Sequence, residues 1–500
     1  MYRTLYPLLL LALLLTACHE ESPLTPPAAT PDPLGRAAID AAVEAHLLTT
    51  DTPFEWGAAD DHLVWSALAA SNYEADLGYR PAGYPRTDET IHEIDVSRGD
   101  WAATRHALRA ELRAATERHL GRAVTDEELF AAPDAVLPVL GVRILHPAVL
   151  AEFRRRPDVR YLEPSNYTAG QVAFRSGSGC TGAPSGSIAA ADRVTVSPGA
   201  AQSWNYPLMN IPAAWKRSQG AGVGICVIDS GTYPEQGRLN GSFGAGRSLE
   251  RLGTYRRSWW SSRTDGPDDR CGHGTQMAGI ATAPRSGGGA SVGVAYRADL
   301  VSVRASSDVI INGSREKRGV ADAMVAAGRR AGVRIVSMSM GDVFSSGRVK
   351  DGVRYAHNRG KLVLCAAGTS LSWTSWYGVI FPASMDETVA VTGIREGSPV
   401  RRCHNCHDGS KVDFTVPMQR RGDNDRTMLT LARRGNAPGY VGGSSAATAT
   451  LAGVAALVWA TDPGQDRAGV VDRLRRAADR YPGRDRNFGW GTVDALAAVR

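Results

Sequence analysis

Two groups of residues in this 500-residue chain are of types that could do chemistry. Cys403-His404-Asn405-Cys406-His407 fits the C-x-x-C-H spacing that attaches a c-type haem, and the same residues could instead form a metal site or a local disulfide between Cys403 and Cys406. The second group is spread along the chain. "VIDSG" puts Asp229 at the end of an apolar run, "GHGTQMAG" sets His273 between glycines, and "GGSSAATATLAGVAALVWA" puts Ser445 at the head of a small-residue apolar helix. A serine hydroxyl is a weak nucleophile unless a neighbouring base takes its proton, and an imidazole held by a carboxylate is such a base. Singly, each residue has a plainer use: Asp229 as a helix cap, His273 as a loop residue, Ser445 as an N-cap.

The elements that must position these residues are legible as pattern. Apolar, β-branched runs at 222–231, 293–305, 333–341 and 360–368 alternate with helical stretches such as "VADAMVAAGRRAG" at 320–332. Runs without polar alternation, separated by helices, predict a parallel sheet buried on both faces, with the site at the carboxyl ends of its strands. Asp229 follows such a run directly. Upstream, an alternating segment "IHEIDV" (91–96), a helix at 101–120, a strand-like run at 136–145, a short helix at 148–156 and a closing strand at 159–164 predict a small α+β sandwich. Between the two, residues 167–200 are rich in Gly, Ser and Ala, which reads as a linker and a zone open to cleavage.

At the N-terminus, Arg3, the apolar run 8–15 and small residues before Cys18 form a secretory signal, residues 1–17. The ending Leu15-Thr16-Ala17-Cys18 resembles a bacterial lipobox, which implies a lipid on Cys18 and an exported, membrane-anchored lipoprotein. A Pro-rich tether follows to residue 36. No other run approaches the roughly 20 apolar residues of a membrane span. The balance of 57 basic and 51 acidic residues is a dispersed excess of +6, which reads as a solvated surface without a nucleic-acid partner. Export permits disulfides. With Cys18 lipidated, six Cys remain; three bridges among them can be drawn in 15 ways. Cys226 and Cys365 fall within apolar strand runs and read as buried thiols, and Cys180 with Cys271 is one available pair.

Taken together, "VIDSG", "GHGTQMAG" and "GGSSAATATLAG" resemble the subtilisin-like serine proteases, whose triad runs Asp, His, Ser along the chain. The resemblance extends over residues 202–499 through "IPAAW", "GVAYRADLVSVR", "SMSMG", "FPASMDETVAVTG", "VDFTVP" and "GWGTVDALAAV". It implies a three-layer α/β fold with a mostly parallel central sheet at 201–500, preceded at 37–166 by a small α+β, ferredoxin-like prodomain that inhibits and assists folding. It implies an exported serine endopeptidase acting through an acyl-enzyme on protein or peptide substrates, with Asp229, His273 and Ser445 as the relay. Ser445 is chosen over Ser444 because registering "LAG" (451–453) on the family's helix sets the nucleophile there. Peptides would add as a strand beside Ser339, Met340 and Gly341. No cofactor is required; calcium accompanies the family, without an identifiable ligand set here. If the chain is cut within 167–200, the lipid leaves with the prodomain and the mature protease is released unless the prodomain stays bound.

The chain departs from the family at the oxyanion hole, where "CAAGTSLS" supplies Thr369 in place of Asn. Either Thr369 donates in a shifted geometry, another group substitutes, or catalysis is impaired; a silent peptide-binding member is the competing function. Gln276 and Ala449 also depart from the pattern, outside the proton relay. On this framework Cys403–His407 falls in a surface loop remote in sequence from the triad, flanked by Arg401, Arg402, Asp408 and Lys411, which favours a disulfide over a metal site or haem.

Overall fold

The computed structural model describes residues 32–170, 180, 187–241, 243–244, 246–369 and 378–500, and Pro33–Arg500 form one compact unit. The expected signal, the lipidation site Cys18 and most of the tether lie outside the described residues.

Three strands form the N-terminal sheet: β1 (Glu74–Tyr79), β2 (Val139–Arg143) and β3 (Val159–Pro164), antiparallel in the order β2-β1-β3. The first strand is therefore not the alternating segment 91–96. There Asp95 accepts hydrogen bonds from the backbone and hydroxyl of Ser97, closing a turn ahead of the helix Gly99–Leu120, and Ile91 packs on Leu137 and Val139. The sequence disguised β1 because its polar residues are buried rather than solvated: Ala75, Leu77 and Tyr79 line the domain's own core, while Glu74 and Asp76 meet the larger domain. Among the described residues the sheet has three strands, short of the four of a ferredoxin-like sandwich.

The large sheet has seven parallel strands in the order β12-β11-β10-β9-β6-β8-β7. These are β6 (Gly224–Asp229), β7 (Leu249–Gly253), β8 (Asp299–Arg304), β9 (Val333–Met338), β10 (Leu362–Ala366), β11 (Val389–Arg395) and β12 (Phe414–Gln419). The apolar runs supply its buried centre; β7, "LERLG", is a half-exposed edge strand with no apolar signature. Chain order reverses at β6, which lies between β8 and β9, so the crevice at its carboxyl end is where a doubly wound sheet places its site. The helix Gly443–Trp459 is apolar all round and buried under β9 to β12, and it presents its N-terminus to that end.

Residues 167–200 are not all linker. Tyr167 and Ala169 are buried in the N-terminal core, and β4 (Arg193–Val196) and β5 (Ala200–Ser203) form a hairpin. Asp192, fully buried, is held by Arg420, Arg426 and Tyr440. Among the described residues no helix is long and apolar enough to cross a membrane.

The N-terminal sheet packs on the N-terminal ends of two helices of the large domain, Ser314–Gly328 and Gly347–Asn358. Glu163, whose pKa burial pushes up to about 7, accepts from the backbone of Gly347 at 2.6 Å at that helix N-terminus, and Ser314 donates to Glu74 at 2.7 Å. Arg348 is 3 % exposed and bridges Asp76 (2.7 Å) and Asp134 (3.0 Å). Arg348→Ala would leave two buried carboxylates without their shared cation, Asp134 keeping only the backbone N–H groups of Val136 and Leu137, a loss of about 3–5 kcal/mol. We expect chemical denaturation of the full chain to show that loss and hydrogen exchange of β1 to rise; unchanged stability would mean water reaches the carboxylates.

Candidate active site

The end of β6 delivers Asp229, 1 % exposed, and the helix His273–Thr282 begins with His273 itself. His273 Nδ1 lies 2.8 and 2.9 Å from the two carboxylate oxygens of Asp229, which fixes the tautomer with the proton on Nδ1 and leaves Nε2 able to accept one. Burial pulls the His273 pKa down, but Asp229 outweighs it and the net shift is upward from 6.5. Gly274 is required at the next position: a Cβ there would lie 2.3 Å from the Gly231 carbonyl.

Sequence reasoning passed over the group that seats this helix. Asp269 accepts hydrogen bonds from the backbones of Cys271, Gly272 and Thr275, from Thr275 Oγ1 and from Ser230 Oγ, at 2.6–3.1 Å. Ser230 in turn accepts from the Gly274 N–H. An acidic residue four positions ahead of the histidine was the available signal, hidden in the charged run "DGPDDR".

Ser444 and Ser445 open the helix Gly443–Trp459, and their environments differ. Ser444 is buried and its hydroxyl is committed to the Gly368 N–H (3.1 Å) and to Thr369 Oγ1 (2.9 Å). Ser445 is half-buried, and its hydroxyl is directed at the Ser339 carbonyl, 3.5 Å away, the long limit of a hydrogen bond. Because Met338 on β9 lies opposite Ile228 on β6, Ser339 and Asp229 leave the sheet side by side. The Ser445 N–H is in the first helical turn, where backbone donors have no intrahelical acceptor.

Thr369 does a different job from a free oxyanion donor. Its Oγ1 accepts from the Ser444 N–H at 2.8 Å and shares a second hydrogen bond with the Ser444 hydroxyl. It also fills the space over Gly443, where a Cβ would come within 2.7 Å of Oγ1 and φ is +81°. When Ser444 is the donor of the shared bond, the Thr369 proton is free to face an oxyanion; when Thr369 donates, the site has one donor fewer.

The expected peptide-binding edge is already in use. The Gly341 N–H donates to the Val309 carbonyl (3.2 Å) and the Gly341 carbonyl accepts from the Ile311 N–H (3.1 Å). Ser339 is buried and donates to the Ser445 carbonyl, and Met340 is a core residue packed among Ile311, Val320 and Phe381. A strand added at 339–341 must first part Gly341 from 309–311.

The Cys403–Cys406 disulfide is formed, but its loop is neither superficial nor remote. Both sulfurs are buried, Thr369 bridges to Cys406, and the His407 N–H donates to the Gly368 carbonyl at 2.9 Å. His407 is fully buried against the Gly378 carbonyl, and burial pushes its pKa down to about 4. The motif thus braces the Gly368–Thr369 wall from behind. With the sulfurs bonded to each other, neither is free for a haem thioether or a metal.

Cys180 and Cys271 are also bridged, while Cys226 and Cys365 are free, buried thiols, with burial pushing Cys226 up to about 12. Among the described residues, the one cluster of three candidate ligand side chains within 4.8 Å is Cys180, Cys271 and Asp308. It offers a single hard oxygen donor and two sulfurs consumed in a disulfide, which does not fit calcium.

Residues 220–491 match the Subtilase family. This chain belongs to it. The subtilase is 30 % identical over 303 residues to subtilisin E of Bacillus subtilis (strain 168), covering 60 % of this chain and 72 % of that protein. It is 26 % identical over 290 residues to thermitase of Thermoactinomyces vulgaris, covering 58 % and 92 %. Against the thermophilic serine proteinase of Bacillus sp. (strain AK1) the figures are 28 % over 290 residues, covering 57 % of the subtilase and 64 % of that relative. The enzyme class of the subtilase is serine endopeptidase, and protein is the substrate class that goes with it.

Proposed function

We propose that this chain is an exported, lipid-anchored serine endopeptidase that cleaves peptide bonds through an acyl-enzyme on Ser445, with His273 as base and acid and Asp229 as its orienting carboxylate. The observation that carries the reading is the pairing of His273 Nδ1 with both oxygens of Asp229, beside the strand end whose Ser339 carbonyl receives the Ser445 hydroxyl. In the first step the Ser445 hydroxyl turns from the Ser339 carbonyl to His273 Nε2, gives up its proton and attacks the scissile carbonyl. His273 then protonates the leaving amine, and water enters by the same relay to release the acid. The Ser445 N–H stabilises the oxyanion as the first donor; the Thr369 hydroxyl, shared with Ser444, leaves the second donor weak.

The N-terminal domain is proposed as the inhibitory, folding-assisting prodomain; its acceptance by the helices at 314 and 347 supports that reading. The anchor is assigned to Cys18 on the lipobox-like sequence. A fluorophosphonate probe, which reacts with an activated serine, tests the enzyme reading: it should label the wild type and fail on Ser445→Ala. A peptide-binding protein without catalysis would be labelled in neither.

Thr369 gives a separate expectation. An Asn donor at this position should raise kcat for a peptide substrate by about tenfold or more with KM nearly unchanged, since one oxyanion donor contributes roughly 10²–10³ in rate. Equal or lower kcat in Thr369→Asn would mean that the threonine hydroxyl already serves the oxyanion, or that its brace on Ser444 matters more.

A further inference from the structure

We propose that the N-terminal domain is a covalently retained subunit of the mature enzyme, held by Cys180–Cys271 and detachable only by thiol–disulfide exchange. The proposal rests on the prodomain reading and on the cut within 167–200 that the sequence predicts, although the bond acts whichever protease makes the cut.

Cys180 lies between Gly170 and Ser187, inside the zone expected to be cut. Its partner Cys271 is two positions ahead of His273 and 5 % exposed, in the turn that Asp269 holds. Downstream, the chain from Ser187 onward is built into the large domain through the 193–203 hairpin and the Asp192 cage. Upstream, the chain to Gly170 is built into the N-terminal domain: Tyr167 and the Gly170 N–H both bond to Asp40. A cut on the C-terminal side of Cys180 therefore leaves residues up to 180 joined to the catalytic domain by the S–S bond, together with any lipid at Cys18.

The interface is suited to a permanent partner. Trp56 stacks on Phe344 (centroids 5.4 Å, interplanar angle 6°), and Phe54 and Tyr167 meet Phe344 edge-on. Phe54 also exchanges backbone hydrogen bonds with Val343 and Ser345, immediately after the peptide-binding segment. Arg160 and Tyr161 both reach Asp351, which is fully buried. A tether makes redocking intramolecular at an effective concentration of about 1 mM, so an interface of about micromolar affinity stays closed at any dilution.

Release has a defined chemistry. One thiolate of a dithiol attacks the Sγ of exposed Cys180, the S–S bond breaks, and the Cys271 sulfur leaves with the bonding pair and takes a proton. The second thiolate of the reagent then displaces Cys180, which is protonated in turn. Two electrons have passed from the dithiol, now a cyclic disulfide, to the two protein thiols.

The test uses the full chain with Ser445→Ala, so that self-cleavage plays no part, and with a recognition sequence for a site-specific protease inserted between Cys180 and Ser187. After cutting, we expect one band on a non-reducing gel, two bands with dithiothreitol, and co-elution of both pieces at nanomolar concentration until dithiothreitol is added. The same chain carrying Cys180→Ser should separate on dilution, at least a hundredfold more readily. Two bands without reductant would overturn the proposal. So would co-elution at nanomolar concentration in the reduced or Cys180→Ser protein, because the interface alone would then suffice. If the Cys180→Ser chain does not fold, dithiothreitol on the cut parent gives the same answer. A failure of this test leaves the fluorophosphonate result untouched, and the converse also holds.

Discussion

Ser445→Ala is expected to lower kcat for peptide hydrolysis on the order of 10⁶-fold with little change in KM, and to abolish fluorophosphonate labelling. That magnitude is the one known for subtilisin, a relative in the same family, where removal of the nucleophile costs about as much as removal of the whole relay. The neighbouring serine supplies the control. Ser444 is tied to the Gly368 N–H and to Thr369, so Ser444→Ala should disturb the oxyanion wall and retain labelling. Labelling that survives in Ser445→Ala and disappears in Ser444→Ala would move the nucleophile by one residue and sink the assignment.

Asp229→Asn should lower kcat by about 10⁴-fold, because an amide cannot hold the imidazole with its proton on Nδ1 and its base on Nε2. It should also move the pH profile in a direction fixed by the site. His273 must be neutral to accept the serine proton, so kcat/KM falls as pH drops through its pKa. In the wild type that limb lies above the ordinary 6.5, since Asp229 outweighs burial. With the carboxylate gone, burial acts without that opponent and the residual activity should persist to lower pH. An acid limb that stays in place would show that another group controls it.

The self-paired edge at Gly341 bears on how these rates are read. A small ester needs only the relay and the oxyanion donors, whereas a long peptide must also displace 309–311. The chain leaving the N-terminal domain touches both flanks of that segment: Thr168 Oγ1 donates to the Asn312 carbonyl, and Cys180 Sγ lies 3.7 Å from Asp308. Retention of the domain by Cys180–Cys271 therefore has a direct structural route to the cleft.

By itself the sequence determined the order Asp229, His273, Ser445, the parallel sheet and the strand end at which Asp229 emerges. These are local matters: an unbroken apolar run must be buried on both faces wherever it sits, and the residue after it must leave the sheet at the carboxyl end. It also supplied the Cys403–Cys406 pair, since three residues of spacing need no distant information. The tertiary structure decided the rest. β1 was concealed because Glu74 and Asp76 satisfy their charges across a domain interface more than 230 residues away, which removes the polar-out pattern that marks a solvated strand. The loop 403–407 became a brace for Thr369, Gly341 found its partner in 309–311, and Cys180 was bridged to the turn before His273. Each of these is a pairing between residues that no periodicity links, made when burial brings their segments together and their backbone groups or sulfurs must be satisfied.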